Sequence, residues 1–597
     1  MRKLSLILAT AMIAVPTFAM AAIKLTSNIK AGAKISGDVK FEITAETREL
    51  ITAMEFYVNG DLRDTDDSTP YEFTLDALKE KEGPIKVKVI AQAASGDQTK
   101  LELSLIVDNG VGLGVAHWMA KADDALTSGK WADAALAARI ALKADAKHVP
   151  AMMALSRANF GRGQMDVAQK YAEDVLAIDK ENAQALDLVS AIGLQRAFRA
   201  SGTNPQETIT RIGNALNQAV KSRMTVYEGQ LNKLGAVTDA NRLEVADVAM
   251  RAGRYSLAID ALRPAYERDL NNNPITNRLL YALWRAGRFQ EAGRVAINYG
   301  TRGKPDGEGF GLLALIYERS GDPTKATEFE KSAVLEDGAS LGVRSAQAHL
   351  AILRAQPKDF TRITAAMGQE FDSSPEANYY LYLSMYRSGD YEGARARFER
   401  SVLADPALYE TYLQAAITTM ELALQTTLND KAREFNRTVA KTYFRAALNA
   451  KPESFEAFTG LALLAMMEGK LDEALANGRT ATKAGPEYAS AYYALAIALS
   501  EQERQFSVAA EKANAAAQEA RRNRLAEEHA TQEKRLVEIR RSLDQIRADY
   551  QGAVAAYQKL DKAVLGGTTP NDYVRVFNYY SRYGRPPVLI LRRASSK

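Results

Sequence analysis

The 597-residue chain contains no cysteine. Disulfides, thiolate metal sites, cysteine nucleophiles and the lipidated cysteine of a bacterial lipoprotein are excluded together. Histidine is nearly as scarce, with only His117, His148, His349 and His529. No two of them stand in the H-x-x-x-H or H-E-x-x-H spacing that puts both rings on one helix face, so no histidine metal site is expected. A P-loop, a G-x-S-x-G elbow and an S-x-x-K set with its partner motifs are also missing. The sequence thus predicts neither enzyme nor cofactor.

Charge of one sign is lacking too. Seventy-seven Lys and Arg oppose 73 Asp and Glu, and the net +4 is spread along the chain, which is not the footprint of a nucleic-acid binder. After residue 21 no run of 18 apolar residues occurs, so no integral membrane segment is expected beyond that point. The first 21 residues read as a secretory signal: Arg2 and Lys3, an apolar run over residues 4–15, then Ala19-Met20-Ala21 before Ala22. Cleavage there removes two positive charges and leaves +2 on a mature protein exported to the periplasm, the medium or the cell surface.

Residues 22–109 have the texture of a β domain. Residues 39–43, 85–89 and 101–105 alternate apolar and polar side chains, and Asn59-Gly60 supplies the positive φ angles of a tight hairpin turn. A small sandwich is predicted. The run Phe56-Tyr57-Val58-Asn59-Gly60, followed by Asp64-Thr65 and Pro70-Tyr71-Glu72-Phe73, resembles the bacterial immunoglobulin-like modules of secreted proteins. That resemblance implies a spacer, or a ligand-binding or adhesive module. The carboxylates of residues 61–67 lack the ordered spacing of a calcium loop and read as a solvated turn. Gly110-Val111-Gly112-Leu113-Gly114 fails the dinucleotide fingerprint at Val115, and residues 110–114 read as an interdomain hinge.

Beyond it glycine keeps a 34-residue beat. Gly129 and Gly163 are one period apart, as are Gly253, Gly287 and Gly321; Gly389 lies two periods further, and Gly469 repeats the pattern. Alanine follows each five residues later: Ala134, Ala168, Ala258, Ala292, Ala326, Ala394 and Ala474. Such a period means stacked helical hairpins. Units begin near 115, 149, 183, 239, 273, 307, 341, 375, 409, 455 and 489, giving about eleven hairpins over residues 115–520.

The pattern resembles the tetratricopeptide repeat. Trp118, Phe310, Tyr412, Phe458 and Tyr492 fall on its aromatic position, and Ala122, Ala246, Ala314, Ala348, Ala416, Ala462 and Ala496 on its small one. Pro406, Pro452 and Pro486 stand where a helix must stop. The fold class predicted is mainly α: a right-handed tetratricopeptide-like solenoid with a small N-terminal β-sandwich and a long C-terminal helix. Extra residues fall around 198–239 and 423–435, read as lengthened helices or a binding loop. The unit at 341 carries Ala355 for the glycine and Phe360 for the alanine.

The resemblance also implies a concave groove lined by first helices. Tyr281, Trp284, Glu318, His349, Tyr379, Leu383 and Tyr386 fall on its groove-facing positions, with Arg319 and Arg387 beside them. Each aromatic alone can fill space between hairpins. As a group, Tyr and Trp with Arg have the composition of interface anchors, and an extended peptide suits such a groove. Residues 273–420 are the expected partner-binding stretch.

Residues 505–565 hold no proline and one glycine, Gly552, and Leu536, Ile539, Leu543, Ile546, Tyr550, Ala553, Tyr557, Leu560 and Val564 form a heptad seam. One long helix is predicted, either a coiled-coil homodimer or a helix folded back on the last repeat. The tail, residues 566–597, mixes tyrosines with arginines and suits an anionic polymer, a lipid surface or docking to protein. Two functions remain open: an exported scaffold that binds a protein or peptide partner in the groove, or an envelope structural or adhesive component contacting glycan through the β domain and tail.

Overall fold

Eight strands open the described chain in a computed structural model that describes residues 23–200, 204–425, 427–560 and 573–588. The signal-peptide expectation lies outside these residues. The strands are β1 Lys24–Ser27, β2 Lys34–Ile35, β3 Asp38–Glu46, β4 Ile51–Val58, β5 Asp61–Asp66, β6 Tyr71–Asp76, β7 Gly83–Ala93 and β8 Gln98–Val107. They form a three-stranded sheet, β1-β3-β6, and a five-stranded sheet, β2-β8-β7-β4-β5, antiparallel except where β2 meets β8. Period-two alternation turns one face of each sheet inward. Phe41 pairs across to Phe73, and Phe56 from the other sheet stacks on Phe73 at 4.9 Å.

Asn59 and Gly60 both hold positive φ, as a tight turn between β4 and β5 requires. The carboxylates of residues 61–66 are strand rather than turn. They lie on β5 at the end of its sheet, where charge deters pairing with another edge.

Helices follow in pairs. The first are α1 Val115–Thr127 with α2 Trp131–Ala144, and α3 Val149–Gly161 with α4 Met165–Ile178. The chain divides into two compact units after Ile178. In the second unit come α5 Ala183–Arg199 and α6 Pro205–Leu234, α7 Arg242–Arg251 and α8 Tyr255–Arg268, then α9 Asn273–Arg285 and α10 Phe289–Arg302. Next are α11 Gly307–Arg319 and α12 Pro323–Asp337, α13 Leu341–Leu353 and α14 Pro357–Glu370, α15 Pro375–Ser388 and α16 Tyr391–Ala404. The series closes with α17 Tyr409–Ala423 and α18 Asp430–Ala450, α19 Phe455–Met467 and α20 Leu471–Ala484, α21 Ala489–Arg522 and α22 Ala526–Leu560. A final short helix, α23, spans Tyr573–Tyr583.

The 34-residue beat has a local cause. Every motif glycine sits at positive φ, ending the first helix of its pair with a left-handed residue that few side chains tolerate. Ala355 adopts the same conformation, at φ 54°, so the irregular unit turns in the usual place on an alanine. The motif alanines at both small positions are almost wholly buried, because there the helices approach too closely for a larger side chain. The two extra stretches are lengthened second helices: α6 runs 30 residues and α18 runs 21, against 14 in α8.

Two further expectations need correction. The glycine-rich segment at 110–114 is no hinge. Asn109 bridges Gly37 and Ala77 (both 3.1 Å), the Trp118 indole donates to the Gly110 carbonyl (2.8 Å), and Arg139 pairs with Asp38 and Asp76 (2.9 and 2.6 Å). These partners, distant in sequence, fasten the first hairpin to the sandwich.

Nor is the stretch after residue 505 one helix. It breaks at Asn523-Arg524-Leu525, where Arg524 holds φ 59° and the Leu525 amide returns to the Ala520 carbonyl at 2.9 Å. The chain doubles back, and Leu536, Leu543, Ile546, Ala553 and Tyr557 are buried in the resulting α21–α22 hairpin. These five seam residues thus pack inside the chain. Residues 561–565, the end of that predicted helix, lie outside the described residues.

Candidate peptide-binding groove

The second unit curls until distant hairpins touch. Arg285, at the end of α9, forms an ion pair with Glu410 of α17 and donates to the Tyr409 hydroxyl; both charged side chains are almost wholly buried. Lys451, at the C-terminus of α18, donates to the Arg285 carbonyl at 3.0 Å and lies 3.5 Å from Glu456 of α19. Burial, opposed by Glu456, pushes this lysine down to about 8. Gly287 explains the close approach, since a Cβ there would stand 2.9 Å from the Phe455 ring. The three hairpins between 307 and 404 bridge the contact, and first helices line the space between.

That space is filled by the chain's own C-terminal segment. On α23, Val576, Phe577 and Tyr580 are buried, and the Tyr580 hydroxyl donates to the Glu456 carbonyl at 2.7 Å. Arg582 donates to the Leu353 carbonyl at 2.8 Å, which satisfies an orphan acceptor at the end of α13. Ser581 donates to Glu421, and Arg585, almost fully buried, pairs with the same carboxylate at 2.9 Å.

After Gly584 the helix has ended and Pro586-Pro587 keep the backbone extended. Recognition there passes to the main chain. Tyr379 donates to the Pro586 carbonyl and Tyr281 to that of Pro587, both at 3.4 Å, and Arg285 reaches the Pro587 carbonyl at 3.3 Å. The Val588 amide donates to the Tyr380 hydroxyl at 3.2 Å. Val588 also lines a cavity of about 430 Å³, walled by Tyr227, Tyr255, Tyr409, Glu376 and Asp405. Burial raises the pKa of both carboxyl groups, and Tyr227 donates to Asp405 at 3.1 Å.

The expected groove residues divide. Tyr281, Trp284, Arg319, His349 and Tyr379 gather around the segment: Arg319 lies over the Tyr583 ring at 5.1 Å, and Trp284 and His349 share a small cavity with Tyr583, Arg585 and Pro586. His349 is buried, and its Nδ1 has no hydrogen-bond partner among the described residues. Burial, then the guanidiniums of Arg319, Arg285 and Arg585, pushes it down to about 3.

Glu318, Leu383, Tyr386 and Arg387 serve other helices or the core. Glu318 pairs with Arg354 at 2.8 Å, Tyr386 donates to the Thr418 carbonyl at 3.1 Å, and Arg387 lies over Phe360. Burial and the charge of Arg585 push Arg387 down to about 10. Sequence reasoning did not single out Arg285, Tyr380, Glu421 or Lys451. The adjacent pairs Trp284-Arg285 and Tyr379-Tyr380 were the available signal, since both members of each lie one step apart on the groove edge of a helix.

Comparison with known proteins agrees with this architecture. Residues 27–101 match the bacterial Ig domain, and residues 119–183, 243–308 and 433–482 match the tetratricopeptide repeat. The chain is a tetratricopeptide-repeat solenoid preceded by a bacterial Ig domain. None of the curated proteins matches it. Among solved structures it is similar to yeast Tom70, at 12% identity, with 76% of this chain and 99% of that one covered and a TM-score of 0.30. It is also similar to the Cut9-Hcn1 hetero-tetramer of the APC/C, at 9% identity, covering 78% and 96% with a TM-score of 0.37. Among the described residues no helix is long and apolar enough to cross a membrane.

Proposed function

We propose that this protein is an exported scaffold that captures an extended segment of a protein partner in the groove of its repeat array. One observation carries the reading. The groove already holds an extended stretch of polypeptide through its carbonyls and an amide, and main-chain contacts of this kind are how peptide-binding surfaces gain affinity. The tetratricopeptide fold supports a protein partner, and the bacterial Ig domain together with the signal-like N-terminus supports export. Binding rather than catalysis is assigned, because Tyr281, Tyr379, Tyr380 and Arg285 of the groove are engaged in holding backbone. The polymer-binding alternative draws less support from the described part of the tail, because Arg582 and Arg585 have partners inside the repeat array.

The test is N-terminal sequencing of the protein from its native envelope fraction, followed by a crosslinked pull-down. A chain beginning at Ala22 supports export. A discrete protein recovered by the wild type, and lost with folded Tyr281→Phe/Tyr379→Phe, supports groove capture. A chain retaining its first 21 residues in the cytoplasm, or identical recovery by both forms, contradicts the reading.

A further inference from the structure

We infer that the groove is a recognition site for peptides with the chemistry of residues 573–588, and that the chain's own segment occupies it as a tethered ligand which a partner bearing the same chemistry displaces. This rests on the scaffold reading and names the partner's pattern: a short basic aromatic helical turn, then Arg-Pro-Pro followed by an aliphatic residue.

Four features separate such a ligand from an ordinary core element. The first is how it is read. Residues 586–588 are held through backbone atoms, while side-chain specificity falls on a few anchors: Phe577, Tyr580, Arg585 and Val588. A few buried aromatic and arginine anchors among near-neutral contacts is the usual energetic layout of an interface. The second is stiffness. Pro586-Pro587 lose little freedom on binding, which favours proline-rich segments as exchangeable ligands.

The third is charge. Residues 573–588 carry Arg575, Arg582 and Arg585 and no acid; Arg585 meets Glu421 and Arg582 the Leu353 carbonyl, while Arg319 and Arg285 of the receiving surface meet the Tyr583 ring and the Pro587 carbonyl. The fourth is room. A cavity lies beside the aliphatic anchor, lined by Tyr227, Tyr255 and Tyr409 and by Glu376 and Asp405.

Tethering sets the competition. Twelve residues, including Gly566-Gly567, separate Leu560 from Tyr573. Because the segment belongs to the same chain its rebinding is intramolecular, so a free ligand enters only when its own affinity is high or it is held nearby.

The experiment uses the full chain with a specific protease site placed between Gly566 and Gly567. The folded protein is cut, and the retained tail is followed by gel filtration, light scattering and mass spectrometry. The cut tail should stay bound to a single-copy complex and be replaced by synthetic peptide 573–588. The Arg585→Ala peptide should compete about tenfold less well, the effect of losing one anchor worth about 1.4 kcal/mol. A tail that never exchanges while circular dichroism stays native, equal competition by a scrambled peptide, or a two-copy complex joined by traded tails would each overturn the inference. Failure here with a partner still recovered from the envelope leaves the scaffold reading intact and moves the partner to another face. Exchange with no envelope partner does the opposite.

Discussion

The backbone amide of Val588 donates to the hydroxyl of Tyr380 at 3.2 Å, across 208 residues of sequence. That bond marks how the last described residues of the chain are received by a helix in the middle of its repeat array. Tyr380 also packs edge-to-face with Tyr379, whose hydroxyl takes the neighbouring Pro586 carbonyl, so two adjacent residues of α15 address one short stretch of backbone.

Arg585 and Glu421 provide the strongest single anchor to test. Arg585 is almost fully buried, so Glu421→Ala would leave a guanidinium without its carboxylate. Breaking a buried pair from one side costs about 3–5 kcal/mol, and the lower end applies because Glu421 is about one-third exposed. Thermal unfolding should show a clear loss of melting temperature for Glu421→Ala and a smaller one for Glu421→Gln. Equal, negligible shifts would argue that the pair does not hold the segment.

Arg285 and Glu410 close the curl. Arg285→Ala alone should destabilise strongly, whereas Arg285→Met with Glu410→Leu should recover much of the loss, since well-packed apolar replacements of a buried pair are often neutral or stabilising by about 1–4 kcal/mol. Denaturant titration of both single variants and the double variant measures the difference. A double variant worse than either single would contradict this assignment.

His349 makes the groove sensitive to acid. Its buried ring, faced by Arg285, Arg319 and Arg585, holds off protonation until about 3, while a free imidazole takes a proton near 6.5. Between these values the unfolded chain binds a proton that the native state refuses, so stability falls as pH drops through that window and is unaffected by this residue above it. The melting temperature of the wild type should fall more steeply between about pH 6.5 and 4 than that of His349→Gln. Parallel slopes would remove His349 from the account.

Ala355 is a stabilisation target. A left-handed alanine costs about 1–2 kcal/mol, partly offset by the extra freedom glycine gives the unfolded chain, worth about 0.4–1 kcal/mol. Ala355→Gly should therefore raise stability by about 0.5–1 kcal/mol in denaturant melts, whereas Gly321→Ala, at φ 81°, should lower it.

The repeat architecture was legible because its cause is local. A glycine that must turn left-handed and an alanine that must let helices touch recur wherever a hairpin is built, so spacing alone located the first helices. The β-sandwich was legible for the same reason, through period-two alternation and Asn59-Gly60. What sequence did not reveal depends on contacts between remote segments. Nothing near residue 110 announces that Arg139 will reach Asp38, and Asn523-Arg524-Leu525 carries neither glycine nor proline to mark a helix break. The groove was half legible: Tyr281, Trp284, Arg319, His349 and Tyr379 follow from register within a repeat. That residues 573–588 lie against them follows only from a curl that brings α9 to α17, which no single repeat encodes.

The central claim is that the C-terminal segment is seated in the groove. The absence of cysteine makes it directly measurable, since any introduced thiol is the only one in the chain. Maleimide labelling of Val588→Cys should be compared with Val574→Cys, which lies on the exposed side of α23. The account predicts that the thiol at 588 reacts far more slowly than that at 574 in native protein, and equally fast in denaturant. Equal rates in native protein would contradict it.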